Sequence, residues 1–265
     1  MRPLAIPLLA LSLTTGFVRP NLAWSAAETE VDVAVLLAVD VSRSMDYDEQ
    51  QLQREGYVEA FRSSEVHEAI RKGMLGRVAV VYMEWSGPSD QKVVVPWTVI
   101  DGPERALEFS NRLAQVPIGR VLSTSISGAI DHSMKLLSES GVHAARGTID
   151  LSGDGPNNSG RMVTLARDQA VAQRVTINGL PFMLKRWTGW GDIEHLDRYF
   201  QDCVIGGPGA FIEKVREAHQ FAIAVRRKLV REIVGRTEPE SLLRRVKARE
   251  PMNCVSAEIQ RQSNP

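Results

Sequence analysis

Residues 31–44 read VDVAVLLAVDVSRS. The first nine are apolar except for Asp32. A carboxylate and two hydroxyls then follow at every second position: Asp40, Ser42 and Ser44. An apolar run of this kind, bounded by the polar stretch 40–50, reads as a strand buried on both faces. Where a chain leaves a sheet still extended, alternate side chains point to the same side. Asp40, Ser42 and Ser44 can therefore converge on one point. Their oxygens are hard ligands, suited to Mg²⁺, Mn²⁺ or Ca²⁺ and poor for soft metals.

Outward from this stretch, strand and helix patterns alternate. Residues 47–72 have helical spacing, with Tyr57, Phe61 and Ile70 set among charges. Residues 77–85 (RVAVVYMEW) and 92–100 (KVVVPWTVI) read as strands, and Pro96 marks the second as a sheet edge. Only the polar link 86–91 separates them, so they form an antiparallel hairpin. Pro103 opens a helix to Gln115, where a missing N–H costs little. A helix is expected over 125–138, a strand over 147–152, a helix over 161–173 and a strand over 174–180. Helix follows over 193–201, a short last strand begins at 203–205, and a final helix spans 211–234. This alternation predicts an α/β fold: a doubly wound, mainly parallel sheet with one antiparallel edge strand and helices on both faces.

Bulk properties narrow the function. The chain has 265 residues, 43% hydrophobic and 24% charged, enough for a proper core. Lys+Arg and Asp+Glu are both 32, and that balance argues against a general nucleic-acid binder. The N-terminus reads as an export signal: Arg2, an apolar run from Leu4 to Val18, then Ser25-Ala26-Ala27 for cleavage. The run is short, contains Pro7 and meets Arg19-Pro20, so it is a poor membrane span. The expected organisation is a cleaved signal over 1–27, one domain over 28–235 and a charged tail over 236–265. The mature chain would be periplasmic or extracellular, with no membrane span. Cys203 and Cys254 can form one disulfide there or stay thiols, and the sequence leaves both open.

Two further features join the first. Ser152-Gly153-Asp154-Gly155 places an Asp on a glycine-flanked turn after another apolar strand. Gly119 to Thr124 leads into the next helix. In a doubly wound sheet, loops at the carboxyl ends of the strands meet where strand order reverses, and ligands bind there. Asp40-x-Ser42-x-Ser44, then Thr124 in Thr-Ser-Ile-Ser-Gly-Ala-Ile, then Asp154-Gly155, resembles the metal-ion-dependent adhesion site (MIDAS) of von Willebrand factor A domains, over roughly residues 31–234. More narrowly, the chain resembles the bacterial exported DUF1194 family. The segments carrying that likeness are 82–87 (YMEWSG), 95–97 (VPW), 152–158 (SGDGPNN) and 204–211 (VIGGPGAF).

The resemblance implies a metal site. Ser42, Ser44 and Thr124 would offer hydroxyl oxygens, and Asp40 and Asp154 would bind directly or through water. Two carboxylates roughly neutralise a divalent ion, which leaves a position for an acidic group from a protein partner. Mg²⁺ is the first expectation, with Mn²⁺ or Ca²⁺ also fitting. One departure stands out: Gly153 occupies the place where the family pattern has Thr before Asp-Gly, so the turn carrying Asp154 can differ.

Other motifs point to structure rather than chemistry. Residues 40–48 alternate oxygen ligands like a calcium loop, but Met45 and Gln51 stand where that loop needs Gly and Glu. Asp46 and Asp48 read instead as acids at a helix N-terminus. Gly206 to Gly209 lacks the Gly-Lys-Ser/Thr ending of a phosphate loop. The five histidines, at 67, 132, 143, 195 and 219, show no zinc spacing. No Gly-x-Ser-x-Gly elbow is present. Trp187 and Trp190 either flank the metal crevice or clamp their loop to the body. The sequence thus leads to a non-enzymatic binding module. A metal-assisted hydrolase and a metal-stabilised scaffold are the alternatives, and no general base stands out for the former.

Overall fold

A computed structural model of the protein describes residues 29–119, 123–184, 195–235 and 250–262. The expected export signal and the Trp187–Trp190 loop lie outside these residues. The expected central strand is β2 (Val33–Asp40), preceded by β1 (Thr29–Val31). It is followed by α1 (Tyr47–Arg62), α2 (Ser64–Arg71), β3 (Val78–Trp85), β4 (Gln91–Ile100), α3 (Pro103–Gln115) and α4 (Ile126–Ser138). Then come β5 (Val142–Ala144), β6 (Gly147–Gly153), α5 (Val163–Ala172), β7 (Val175–Pro181), α6 (Leu196–Tyr199), α7 (Phe221–Val234) and α8 (Cys254–Gln262). The main sheet has five strands in the order β4-β3-β2-β6-β7, parallel except for the β3–β4 hairpin. No helix among the described residues is long and apolar enough to cross a membrane.

Every residue of β2 is buried because both faces of the sheet are covered. Val33, Val35, Leu37 and Val39 face a core shared with α1, α2, α3 and α7. Leu36 and Ala38 face a second core built with α4, α5 and α6. The strand period of two divides one apolar run between two cores. At the edge, Val80 pairs with Thr98 and Tyr82 with Val95, so Pro96 and Trp97 face one residue across a bulge. The missing Pro N–H is tolerated there. On the first face, α1 crosses α7 closely at Gly56, where a Cβ would come within 2.5 Å of the Phe221 ring.

The structure departs from the sequence expectations in four places. The helix expected over 47–72 is two helices. Ser63 has extended backbone, donates its hydroxyl to Ala60 O at 2.6 Å and accepts from Val66 N, ending one helix and capping the next. The short last strand expected at 203–205 is instead a π-helical turn, Phe200–Val204, with the Ile205 amide bonded to Phe200 O at 2.9 Å. The final helix begins at Phe221, not at 211. Residues 211–215 instead run beside β7, exchanging bonds with Gly179 (2.9 and 3.0 Å), Pro181 and Met183. The unpaired groups on the β7 edge outweigh the helical pattern. The small β1–β5 parallel pair was not anticipated. In the tail, residues 236–249 lie outside the described set. Residues 254–262 form α8, joined to the domain by a Cys203–Cys254 disulfide.

Candidate metal centre

The site forms where strand order reverses. β2 lies between β3 and β6, and Val39 pairs with Glu84 on one side and Ser152 on the other. The carboxyl ends of β2 and β6 are therefore neighbours, which brings the loops of Asp40 and Asp154 to one crevice. Asp40 and Ser42 are fully buried, while Ser44 and Asp154 are half-buried.

Four of the five expected residues form one hydrogen-bonded chain. The Ser42 amide donates to Asp40 Oδ1 at 2.7 Å. The Ser42 and Ser44 hydroxyls are 2.9 Å apart, and Ser44 Oγ donates to Asp154 Oδ1 at 2.6 Å. The Thr124 hydroxyl is not part of that chain among the described residues. Thr124 reaches the Asp154 loop through its backbone: its amide donates to Asn158 Oδ1 and its carbonyl accepts from the Asn158 amide, both at 3.0 Å.

Within this set of five, electrostatics mark Asp40. Its Oδ2 is buried and has no hydrogen-bond partner among the described residues. Burial, and after it the Asp154 carboxylate, push the Asp40 carboxyl from 3.8 up to about 8, against the opposing pull of the Ser42 amide and hydroxyl and of the Asp154 amide. Gly153 makes room for this arrangement. A Cβ there would stand 3.0 Å from Asp40 Oδ2 and 3.6 Å from the Trp85 ring, which is fully buried beside it. A side chain at position 153 would therefore crowd the Asp40 carboxylate. A buried acceptor with no donor, beside a second carboxylate and two hydroxyls, is the oxygen set that a hard divalent cation takes.

Sequence reasoning missed the residues that hold this chain in place. Gln53 Nε2 donates to Asp40 O at 2.9 Å, Gln50 Nε2 donates to Val41 O at 3.2 Å, and Gln53 Oε1 accepts from Ser152 Oγ at 2.7 Å. Their signal was available: Gln50, Gln53 and Tyr57 share the inner face of α1 at helical spacing, and an amide on such a face needs partners. A buried Arg54–Glu84 ion pair fixes the neighbouring loop. Arg54 Nη1 donates to Leu113 O and Val116 O at 2.8 and 2.7 Å, and Glu84 Oε2 accepts from the Gly119 amide at 3.2 Å. Asp46 caps α1 in a reciprocal box with Glu49, as its sequence position suggested.

The chain belongs to the family described as "Protein of unknown function (DUF1194)", whose profile matches residues 30–237. No curated protein matches it. Among solved structures, it is similar to proximal thread matrix protein 1 of the mussel byssus (TM-score 0.57, 13% identity, 78% of this chain and 49% of that one). That protein is also known with a zinc-occupied MIDAS motif. The chain is likewise similar to the pilus adhesin SpaC of Lactobacillus rhamnosus GG (0.55, 13%, 77% and 30%). A third likeness is to the vWF domain of the type V pili tip protein Mfa5 of Porphyromonas gingivalis (0.50, 11%, 80% and 99%). These likenesses establish a von Willebrand factor A-like fold. The chain spans about half of the byssus protein and under a third of the pilus adhesin.

Proposed function

We propose that this protein is an exported, non-enzymatic binding module. It holds a divalent cation on Asp40, Ser42, Ser44, Thr124 and Asp154 and so engages an acidic side chain of a protein partner. The observation that carries this reading is the partnerless, buried Asp40 Oδ2 facing a second carboxylate. A buried acceptor without a donor is costly, and a cation shared between Asp40 and Asp154 would offset that cost. Mg²⁺ suits a set of carboxylate and hydroxyl oxygens, with Mn²⁺ and Ca²⁺ as alternatives. When bound, the cation would supply positive charge to an incoming carboxylate. The protein's own part is to hold the oxygens in place: Gln53 and Gln50 fix the backbone after β2, and Asn158 ties Thr124 to the loop of Asp154. The adhesin and matrix roles printed for the similar structures, and the zinc-occupied motif in one of them, are consistent with this use of the fold. In the same reading residues 1–27 act as a cleaved export signal, and residues 28–235 form the binding domain in the periplasm or outside the cell.

Calorimetric titration of Mg²⁺ and Mn²⁺ into residues 28–265 tests this directly. Saturable one-to-one binding is expected, lost in Asp40→Ala and in Asp154→Ala. A well-folded wild type that takes up neither ion would overturn the reading.

A further inference from the structure

The C-terminal helix lies beyond the reach of the family profile, which ends at residue 237, yet it places a charged group in the interior. Glu258 is 1% exposed. Its Oε2 accepts from Asn157 Nδ2 at 3.0 Å, and its Oε1 accepts from the Tyr199 hydroxyl at 3.2 Å and the Val163 amide at 3.3 Å. The Val163 amide is one of the unpaired donors at the start of α5, so Glu258 caps another helix from about a hundred residues away.

Asn157 is the hinge of the arrangement. It is fully buried. Its Oδ1 accepts from the Ser127 amide at 3.0 Å, its Nδ2 also donates to Arg161 O at 3.0 Å, and its amide donates to the Tyr199 hydroxyl at 3.1 Å. Next to it, Asn158 joins the Thr124 backbone by two bonds of 3.0 Å, and Ser125 Oγ donates to Ser159 O at 2.9 Å. Residues 157–159 therefore zip the loop that carries Asp154 to the loop that carries Thr124. Glu258 is seated on the back of that zip.

This seat needs to be enforced. Burial pushes the Glu258 carboxyl up from its ordinary value, against the donors Asn157, Val163 and Tyr199. α8 has nine residues, fewer than the dozen or so an isolated helix needs. Among its described side chains only Ala257 and Glu258 are buried, while Val255 and Ile259 are exposed. The covalent tie is Cys203–Cys254, which spans 51 residues and anchors α8 to the buried π-helical turn. Beside it, the Met252 amide donates to Asp202 Oδ2 at 2.8 Å.

We propose that α8 is a disulfide-held latch on the metal centre: Cys203–Cys254 keeps Glu258 seated on Asn157, and this positions the Asp154 and Thr124 loops for cation binding. The proposal rests on the metal reading given above. Reduction by a dithiol delivers two electrons and two protons to the bridge. It yields the Cys203 and Cys254 thiols and leaves the reductant as its own disulfide. With the tie broken, α8 leaves its seat, Asn157 loses an acceptor and the zipped loops loosen. The site would then hold its cation well only in an oxidising compartment. Glu258 is a positioning residue here, acting through Asn157.

The test uses residues 28–265 in oxidised form, in dithiothreitol, and as the variants Cys254→Ser and Glu258→Ala. Mg²⁺ is titrated into each, since thiols coordinate it poorly. Amide hydrogen exchange is followed at Thr124, Ser127 and Asn158. Affinity is expected to fall about tenfold in all three perturbed forms, as when an outer partner of a metal ligand is lost. Exchange at those amides should quicken while the amides of β2 and β3 stay protected. Equal affinity and equal protection in oxidised and reduced protein would overturn the latch. If oxidised wild type binds no Mg²⁺, the metal reading fails, and the exchange data alone still decide whether α8 orders the loops. Should Cys254→Ser fail to fold, reduced wild type and Glu258→Ala give the same decision.

Discussion

Asp150 and Asp154 stand four residues apart along β6 and its exit, and each has a second carboxylate for a neighbour. For Asp150 it is Glu232 of α7, and for Asp154 it is Asp40. The first pair is closed from within. Lys228 Nζ lies 2.6 Å from Asp150 Oδ1 as an ion pair and 2.5 Å from Glu232 Oε1 as a hydrogen bond, and Asn178 Nδ2 donates to Glu232 Oε1 at 2.9 Å. The Lys228 side chain is fully buried. The second pair is linked through two hydroxyls: those of Ser42 and Ser44 are 2.9 Å apart, and Ser44 Oγ donates to Asp154 Oδ1 at 2.6 Å. One strand thus carries two solutions to the same problem. In the middle of the sheet Lys228 supplies the cation, and at the crevice the proposed function gives that place to a bound divalent ion. Two acidic residues four positions apart therefore differ in surroundings because of what the facing helix or loop brings to each.

Breaking the internal solution should have the largest effect. Lys228→Met keeps the volume and removes the charge, leaving Asp150 and Glu232 buried with only the Asn178 amide to bond Glu232. Stability should fall by about 3–5 kcal/mol, read by urea unfolding, while Mg²⁺ binding by the folded fraction persists. A loss below about 1 kcal/mol would mean that Lys228 does not carry the pair.

The opposite result is expected at the crevice. Asp40→Asn should abolish Mg²⁺ binding, weakening it by at least the ~100-fold that loss of an outer partner can cost. The metal-free protein should keep its stability or gain up to about 1 kcal/mol, because one of two facing carboxylates is gone. Unfolding curves with and without Mg²⁺ separate the two effects, and a marked loss of metal-free stability would contradict the comparison.

A pH series sharpens it further. Burial and then Asp150 push the Glu232 carboxyl from 4.5 up to about 8, against the pull of Lys228 and Asn178. The folded state therefore holds this proton to higher pH than the unfolded chain. The associated stability is fully present below about 4.5 and is lost as pH rises through about 8, at no more than about 1.4 kcal/mol per pH unit. Glu232→Gln should flatten that fall between pH 5 and 8 in the metal-free protein. An unchanged slope would assign the pH dependence elsewhere.

The smallest effect is expected at Gly153. In Gly153→Ala the new Cβ would stand 3.0 Å from Asp40 Oδ2, tight enough to require a shift of a few tenths of an ångström. Mg²⁺ affinity should drop by roughly threefold, less than 1 kcal/mol, with little change in unfolding midpoint. An intact affinity would show that Asp40 has slack at this wall.

By itself the sequence determined the sheet and which residues the proposed site draws on. The apolar run at 33–39, the hairpin around residues 86–90 and the hydroxyl-carboxylate motif after residue 39 are local patterns, and local patterns survive translation into structure. They placed Asp40, Ser42, Ser44 and Asp154 at or just after the ends of strands and Thr124 just ahead of a helix. Only the tertiary structure decided what surrounds them. That Gln53 holds the Asp40 carbonyl, that Lys228 closes one carboxylate pair and not the other, and that Glu258 seats on Asn157 are contacts between residues 13 to 101 positions apart. The same holds for residues 211–215, whose helical pattern gave way to the open edge of β7. Side-chain spacing reports which face of an element is apolar. Which polar group meets which is fixed only when the elements pack, because a buried donor or acceptor must find its partner wherever the fold brings one.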